Sequence, residues 1–92
     1  MNDLQMPELV QTWLEHAHSD LNLGRAALHT RGVLPEDACF HAQQCAEKAL
    51  KGLLTARSAA FPRTHVIETL LDLLKVNGLV IPKNVDEAFE LT

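Results

Sequence analysis

The chain predicts an all-α fold, an up-and-down antiparallel helical bundle with a short or truncated C-terminal helix, and three observations predict it. Apolar and small side chains recur at three-and-four spacing through most of the 92 residues. Leu and Ala carry the packing volume, since 47% of the chain is hydrophobic but only 4% aromatic, with no Tyr, one Trp and three Phe; that bias favours helices over strands. Finally, Pro7, Pro35, Pro62 and Pro82 stand where the periodic segments begin or break off.

The first helix is expected over residues 7–29, with Val10, Trp13, Leu14, Ala17, Leu21, Gly24 and Leu28 on one stripe about 100° wide. Pro7 suits a first helical position, and Gly24 within the stripe admits a close neighbouring helix. Arg31-Gly32 reads as the stop. A second helix over 35–57 opens on Pro35, with Glu36 and Asp37 in its first turn complementing the helix dipole. Its stripe of Ala38, Cys39, Ala42, Cys45, Ala46, Ala49, Leu50 and Leu53 is assigned to the core. Ser58 to Arg63 is a connection, and Thr64 is placed to cap a third helix over 65–76. Ile67, Leu70, Leu71 and Leu74 form the buried stripe of that helix, and Asn77-Gly78 supplies its left-handed stop. Leu79 to Pro82 crosses back in extended form, and Asn84 with Glu87 makes a capping box for a fourth helix over 85–92, too short to complete a four-helix bundle.

Ninety-two residues make a single domain, 1–92, near the lower limit for a self-sufficient core. The formal charge of -4 and a pI near 5.6 give no overall attraction for a polyanion, so nucleic-acid binding needs a local basic face. No apolar run reaches the roughly 18 to 20 residues of a membrane span, and the sequence reads as soluble and cytoplasmic. Cys39 and Cys45, six apart on one helix, are too distant to bridge and are expected to be reduced, buried thiols.

His41, Gln44, Lys48, Lys51 and Thr55 follow one another at three, four, three and four residues, a polar rail within about 80° of arc on the second helix. One reading is a phosphate-binding strip, with Lys48 and Lys51 as cations and His41 and Gln44 as hydrogen-bonding partners. The other is an ordinary solvated or interhelical face, with Glu47 and Lys51 as an i,i+4 pair, or Lys48 tied to Asp20 between helices. His41 and Cys45 share a face, with His16 and His18 elsewhere, but no second ligand pair completes a zinc site, and neither metal nor cofactor is expected. His65, at the expected start of the third helix, suits a general base or a contact with a helix end.

Ala38-Cys39-Phe40-His41-Ala42-Gln43-Gln44-Cys45-Ala46-Glu47-Lys48-Ala49-Leu50-Lys51 resembles the signature helix of HEPN domains. Ala17-His18-Ser19-Asp20-Leu21 resembles the first-helix segment of that family, and Thr64-His65 with Leu70-Leu71 the start of its third helix. The resemblance implies a bundle of about five helices that commonly dimerises. It also implies a partner, because such proteins are often encoded beside a minimal nucleotidyltransferase in pairs that can act as toxin and antitoxin. The nucleotide- or partner-facing region implied for this chain comprises Asp20, His41, Gln44, Lys48, Lys51 and His65. Many HEPN proteins are metal-independent ribonucleases carrying Arg, four to six residues, then His. Here Arg25 and His29 have three residues between them, Arg57 and His65 seven, and Arg63 and His65 one. A binding module is therefore expected ahead of an RNA-cleaving toxin. A homodimer is expected too, because Val66, Leu70 and Leu73 would otherwise face water.

Overall fold

The computed structural model describes residues 5–81 and 83, so the fourth helix expected over 85–92 lies outside the described residues. Among them are three helices and no strand: α1 (Met6–Leu28), α2 (Pro35–Ala56) and α3 (Ile67–Val76). The fold is all-α, as the periodicity predicts. No helix among the described residues is long and apolar enough to cross a membrane.

Helix boundaries follow local chemistry. The Glu8 carboxylate accepts from the Gln5 N–H ahead of α1, and Pro7 sits in its first turn, where a missing donor costs nothing. Arg31-Gly32 lies beyond the helix stop, in the turn itself: Gly32 has φ +87°, and the Val33 N–H donates to the Thr30 carbonyl at 3.3 Å. α2 opens on Pro35 and closes with Ser58 at φ +55°. There the Ala59 N–H reaches the Leu54 carbonyl and the Ser58 N–H the Thr55 carbonyl, both at 2.9 Å, the hydrogen-bond pattern of a Schellman stop. α3 ends the same way with Gly78 at φ +87°, which turns Leu79 back onto the bundle.

α1 and α2 form an antiparallel hairpin whose seam is narrow. A Cβ added to Gly24 would meet the Ala38 carbonyl oxygen at 3.3 Å, and one added to Gly52 would meet the Trp13 Cβ at 3.2 Å. The close approach expected at Gly24 is thus present, with a second one near the other end of the hairpin. The apolar core lies elsewhere. Leu54, Leu70 and Leu74 are fully buried, with Leu50, Phe61, Leu73, Leu79 and Ile81 packed around them. α3 rests on α2 and not on α1. The connection reaches α1 through Phe61, whose ring meets Trp13 edge-on at 6.1 Å.

Four expectations need correction. α3 begins at Ile67, because the Thr64 hydroxyl accepts from the Val66 N–H at 3.0 Å and closes a local turn instead of capping a helix. Leu70 is buried and Leu73 half-buried, which leaves only Val66 of the three facing water. On α1, Leu14 and Leu28 are exposed while Asp20 is buried. On α2, Cys39, Ala42 and Leu53 are exposed and Lys51 is buried, so the assigned core stripe is partly an outer face and the rail partly an inner one. The cause is the narrow seam: α1 meets α2 on the side that carries His41 and Lys48.

Candidate functional site

Two buried carboxylates organise the polar side of α2, and each is held by one lysine and one histidine. Asp20 on α1 is 7% exposed. Its Oδ1 lies 3.1 Å from the His41 Nδ1, and its Oδ2 accepts from the Lys48 ammonium. The Lys48 hydrogen bond holds the Asp20 carboxyl below its ordinary range, against the opposing effect of burial and with further help from His41. Glu47 on α2 is 2% exposed. Its Oε1 meets the His65 Nδ1 and lies 3.7 Å from the Lys51 ammonium one turn along the helix.

Lys51 is further fixed by the Trp13 ring, with Nζ 5.7 Å from the centroid, and its carbonyl accepts from the Thr55 hydroxyl at 2.8 Å. A lysine with a long apolar stem can lie in such a seam provided its head finds a charge, and Glu47 is that charge. No buried side-chain nitrogen or oxygen among the described residues lacks a partner, which is the condition under which buried polar groups are tolerated.

The six residues singled out in the sequence thus separate into groups. Asp20, His41 and Lys48 converge on one cluster between α1 and α2, beside a small polar hollow that Glu15, His16 and Ser19 also line. Lys51 and His65 converge on Glu47. Gln44 is half-buried on α2. The two lysines are therefore not a free cationic strip, because each ammonium is committed to a carboxylate. The sequence reading missed Glu47 as an organising group: its i,i+4 relation to Lys51 was visible, but its burial and its bond to His65, 18 residues away, were not.

His65 precedes the α3 N-cap and does not sit within the first turn. Its side chain is 83% exposed although Nδ1 is tethered, so the outer edge of the ring faces solvent. It stands at the mouth of a groove of about 710 Å³ between α2 and the start of α3, walled by Ala42, Ala46, Val66 and Ile67. Cys39 also lines this groove, and both cysteines are unpaired, Cys39 exposed and Cys45 half-buried, so the expectation of two buried thiols fails. Among the described residues no three His, Cys, Asp or Glu side chains gather to hold a metal ion.

The family model for the HEPN domain matches residues 10–92. No curated protein and no solved structure matches the chain.

Proposed function

This chain belongs to the HEPN family, and from that premise we propose that it is a binding module that forms a homodimer and docks a protein partner, a minimal nucleotidyltransferase. The observation that carries this reading is the commitment of both α2 lysines to buried carboxylates. Drawing either ammonium toward a phosphate would weaken its hold on a buried carboxylate, leaving Asp20 to depend on His41 or Glu47 on His65, which costs more than a phosphate contact at the surface returns. The groove instead has apolar walls at Ala42, Ala46, Val66 and Ile67, with Val66 exposed, the kind of surface that another protein covers. Within this reading His65, which lines the groove, belongs to the contact region, while Gln44 stays on the polar side of α2 with His41, Lys48 and Lys51.

The test mixes the purified chain with a minimal nucleotidyltransferase, measures masses by light scattering, and titrates ATP in parallel. The expected result is a dimer of this chain that takes up the nucleotidyltransferase and binds ATP no more tightly than about millimolar. A monomer that ignores the nucleotidyltransferase and binds ATP through Lys48 and Lys51 would overturn the reading.

A further inference from the structure

We infer that the groove between α2 and the start of α3 docks an amphipathic helix with Lys or Arg along its flank, supplied by a partner protein; this rests on the reading of the chain as a docking module. The groove has the form such a helix needs. Ala42 and Ala46 on one wall and Val66 and Ile67 on the other leave an open apolar trough, and small side chains one turn apart on α2 admit the larger ones of an incoming helix.

The charge of the occupant follows from the distribution of cations and acceptors. Both α2 lysines turn away from the groove, Lys48 to Asp20 and Lys51 to Glu47, and no Lys or Arg is among the groove's lining side chains. On the α3 side stands Glu68. His65 beside it is tied through Nδ1 to the buried Glu47. Glu36, exposed three residues before Cys39, continues the same side of α2 toward its N-terminus. An apolar trough edged by Glu68 and Glu36, with no Lys or Arg in its lining, matches an apolar helix face edged by cationic donors.

The same chemistry disfavours the two occupants nearest to hand. A second copy presenting this groove would bring Glu68 and no Lys or Arg to the contact. Residues 84–92 carry Asp86, Glu87 and Glu90 and no Lys or Arg, so they bring carboxylates to carboxylates.

Cys39 makes the test direct, being exposed and in the groove, while Cys45 is half-buried and outside its lining. The rate of Cys39 alkylation by a maleimide is measured with and without a synthetic Leu/Lys amphipathic peptide of about 18 residues, some 27 Å as a helix, and with a Leu/Glu peptide of the same register. The Leu/Lys peptide is expected to slow alkylation of Cys39 about tenfold at saturation and leave Cys45 unchanged. Glu68→Lys should weaken that peptide about threefold, the scale of one partly exposed ion pair. Ala42→Arg should abolish protection, with Trp13 emission reporting the fold; if that variant does not fold, Glu68→Lys carries the comparison alone.

Equal protection by the Leu/Glu peptide, or none by either, overturns the inference. So does slow alkylation of Cys39 in the free protein, which means a second copy if it depends on concentration and residues 84–92 if it does not. A nucleotidyltransferase that binds while Cys39 stays fully reactive removes the groove but keeps the docking reading. Peptide protection without nucleotidyltransferase binding does the reverse.

Discussion

The seam between α1 and α2 and the leucine core under α3 hold the same small protein together by opposite means. In the core, Leu54, Leu70 and Leu74 are fully buried and pack against further apolar side chains, so stability there comes from area withdrawn from water, about 1.5–3 kcal/mol for each large side chain. In the seam, the buried residues are Ala17, Asp20, Gly24, Ala38, Glu47, Lys51 and Gly52. Little apolar area is available to them. Contact depends instead on absent side chains at the two glycines and on carboxylates whose partners are fully supplied. The difference teaches that one helix can be held on one side by volume and on another by the lack of it. The two regions should therefore fail in different ways, the core by subtraction and the seam by addition or by loss of a charge partner.

Subtraction from the core should have the largest effect. Leu70→Ala removes a fully buried side chain at the α2–α3 contact, and the transfer and cavity costs together should destabilise by about 3 kcal/mol. Urea denaturation should show a lower midpoint with an unchanged slope. A loss below about 1 kcal/mol would mean that the leucine cluster is not the main apolar store, and the comparison with the seam would collapse.

Next in size is the removal of cations from the seam. In Lys48→Gln with Lys51→Gln, Asp20 keeps His41 and Glu47 keeps His65, while each amide offers a weaker hydrogen bond than the ammonium it replaces. A loss of about 2 kcal/mol is expected, and for a domain of this size each kcal/mol corresponds to roughly 4–8 °C in melting temperature. Thermal unfolding followed by circular dichroism reads the outcome. An unaltered melting temperature with weakened binding to the nucleotidyltransferase would return these lysines to a contact surface.

How much of this was legible in the sequence differs between the two regions for a physical reason. The helices and the core stripe of α3 were readable because Ile67, Leu70, Leu71 and Leu74 are large, apolar and local in their spacing. The inner face of α2 was not, because two of its faces are regular at helical spacing. Ala42 and Cys39 are small enough to be either inside or outside, and a lysine is ambiguous until its partner is known. Those partners come from afar: Asp20 lies 28 residues from Lys48, and His65 lies 18 from Glu47. Lys48 beside Asp20 was one of two open readings, but nothing in α2 alone could decide it. Gly24 was legible, since a glycine inside a helical stripe has few other uses.

Addition to the seam should have a smaller effect than either, because two terms oppose. Gly24→Ala gains about 1 kcal/mol of intrinsic helix stability. Its new Cβ would lie 3.3 Å from the Ala38 carbonyl oxygen, and that oxygen belongs to a helical backbone that cannot give locally, so the two helices must part by a few tenths of an ångström. Overpacking of this kind costs about 1–3 kcal/mol, and a net loss of about 1 kcal/mol is expected in chemical denaturation. A gain in stability would show that the hairpin has slack, and that the glycine is not what sets its spacing.

The smallest effect expected is a dependence on acid confined to Asp20. Its carboxyl is lowered from the ordinary value of 3.8 in the folded protein, first by Lys48 and then by His41. A depressed carboxyl contributes stability that is fully present above the unfolded value and is lost as pH falls through the folded one. The difference in stability between the wild type and Asp20→Asn should therefore shrink as pH falls below 3.8. Because Lys48 is partly open to solvent, the part that disappears should be under about 1 kcal/mol. The variant Lys48→Gln separates the causes. Without the ammonium the largest of the lowering effects is gone, so the Asp20 carboxyl should titrate higher than in the wild type, as followed by the chemical shift of its carboxyl carbon. A titration that does not move would mean that His41 and not Lys48 holds the charge, and that the seam is fastened near the start of α2, not at its middle.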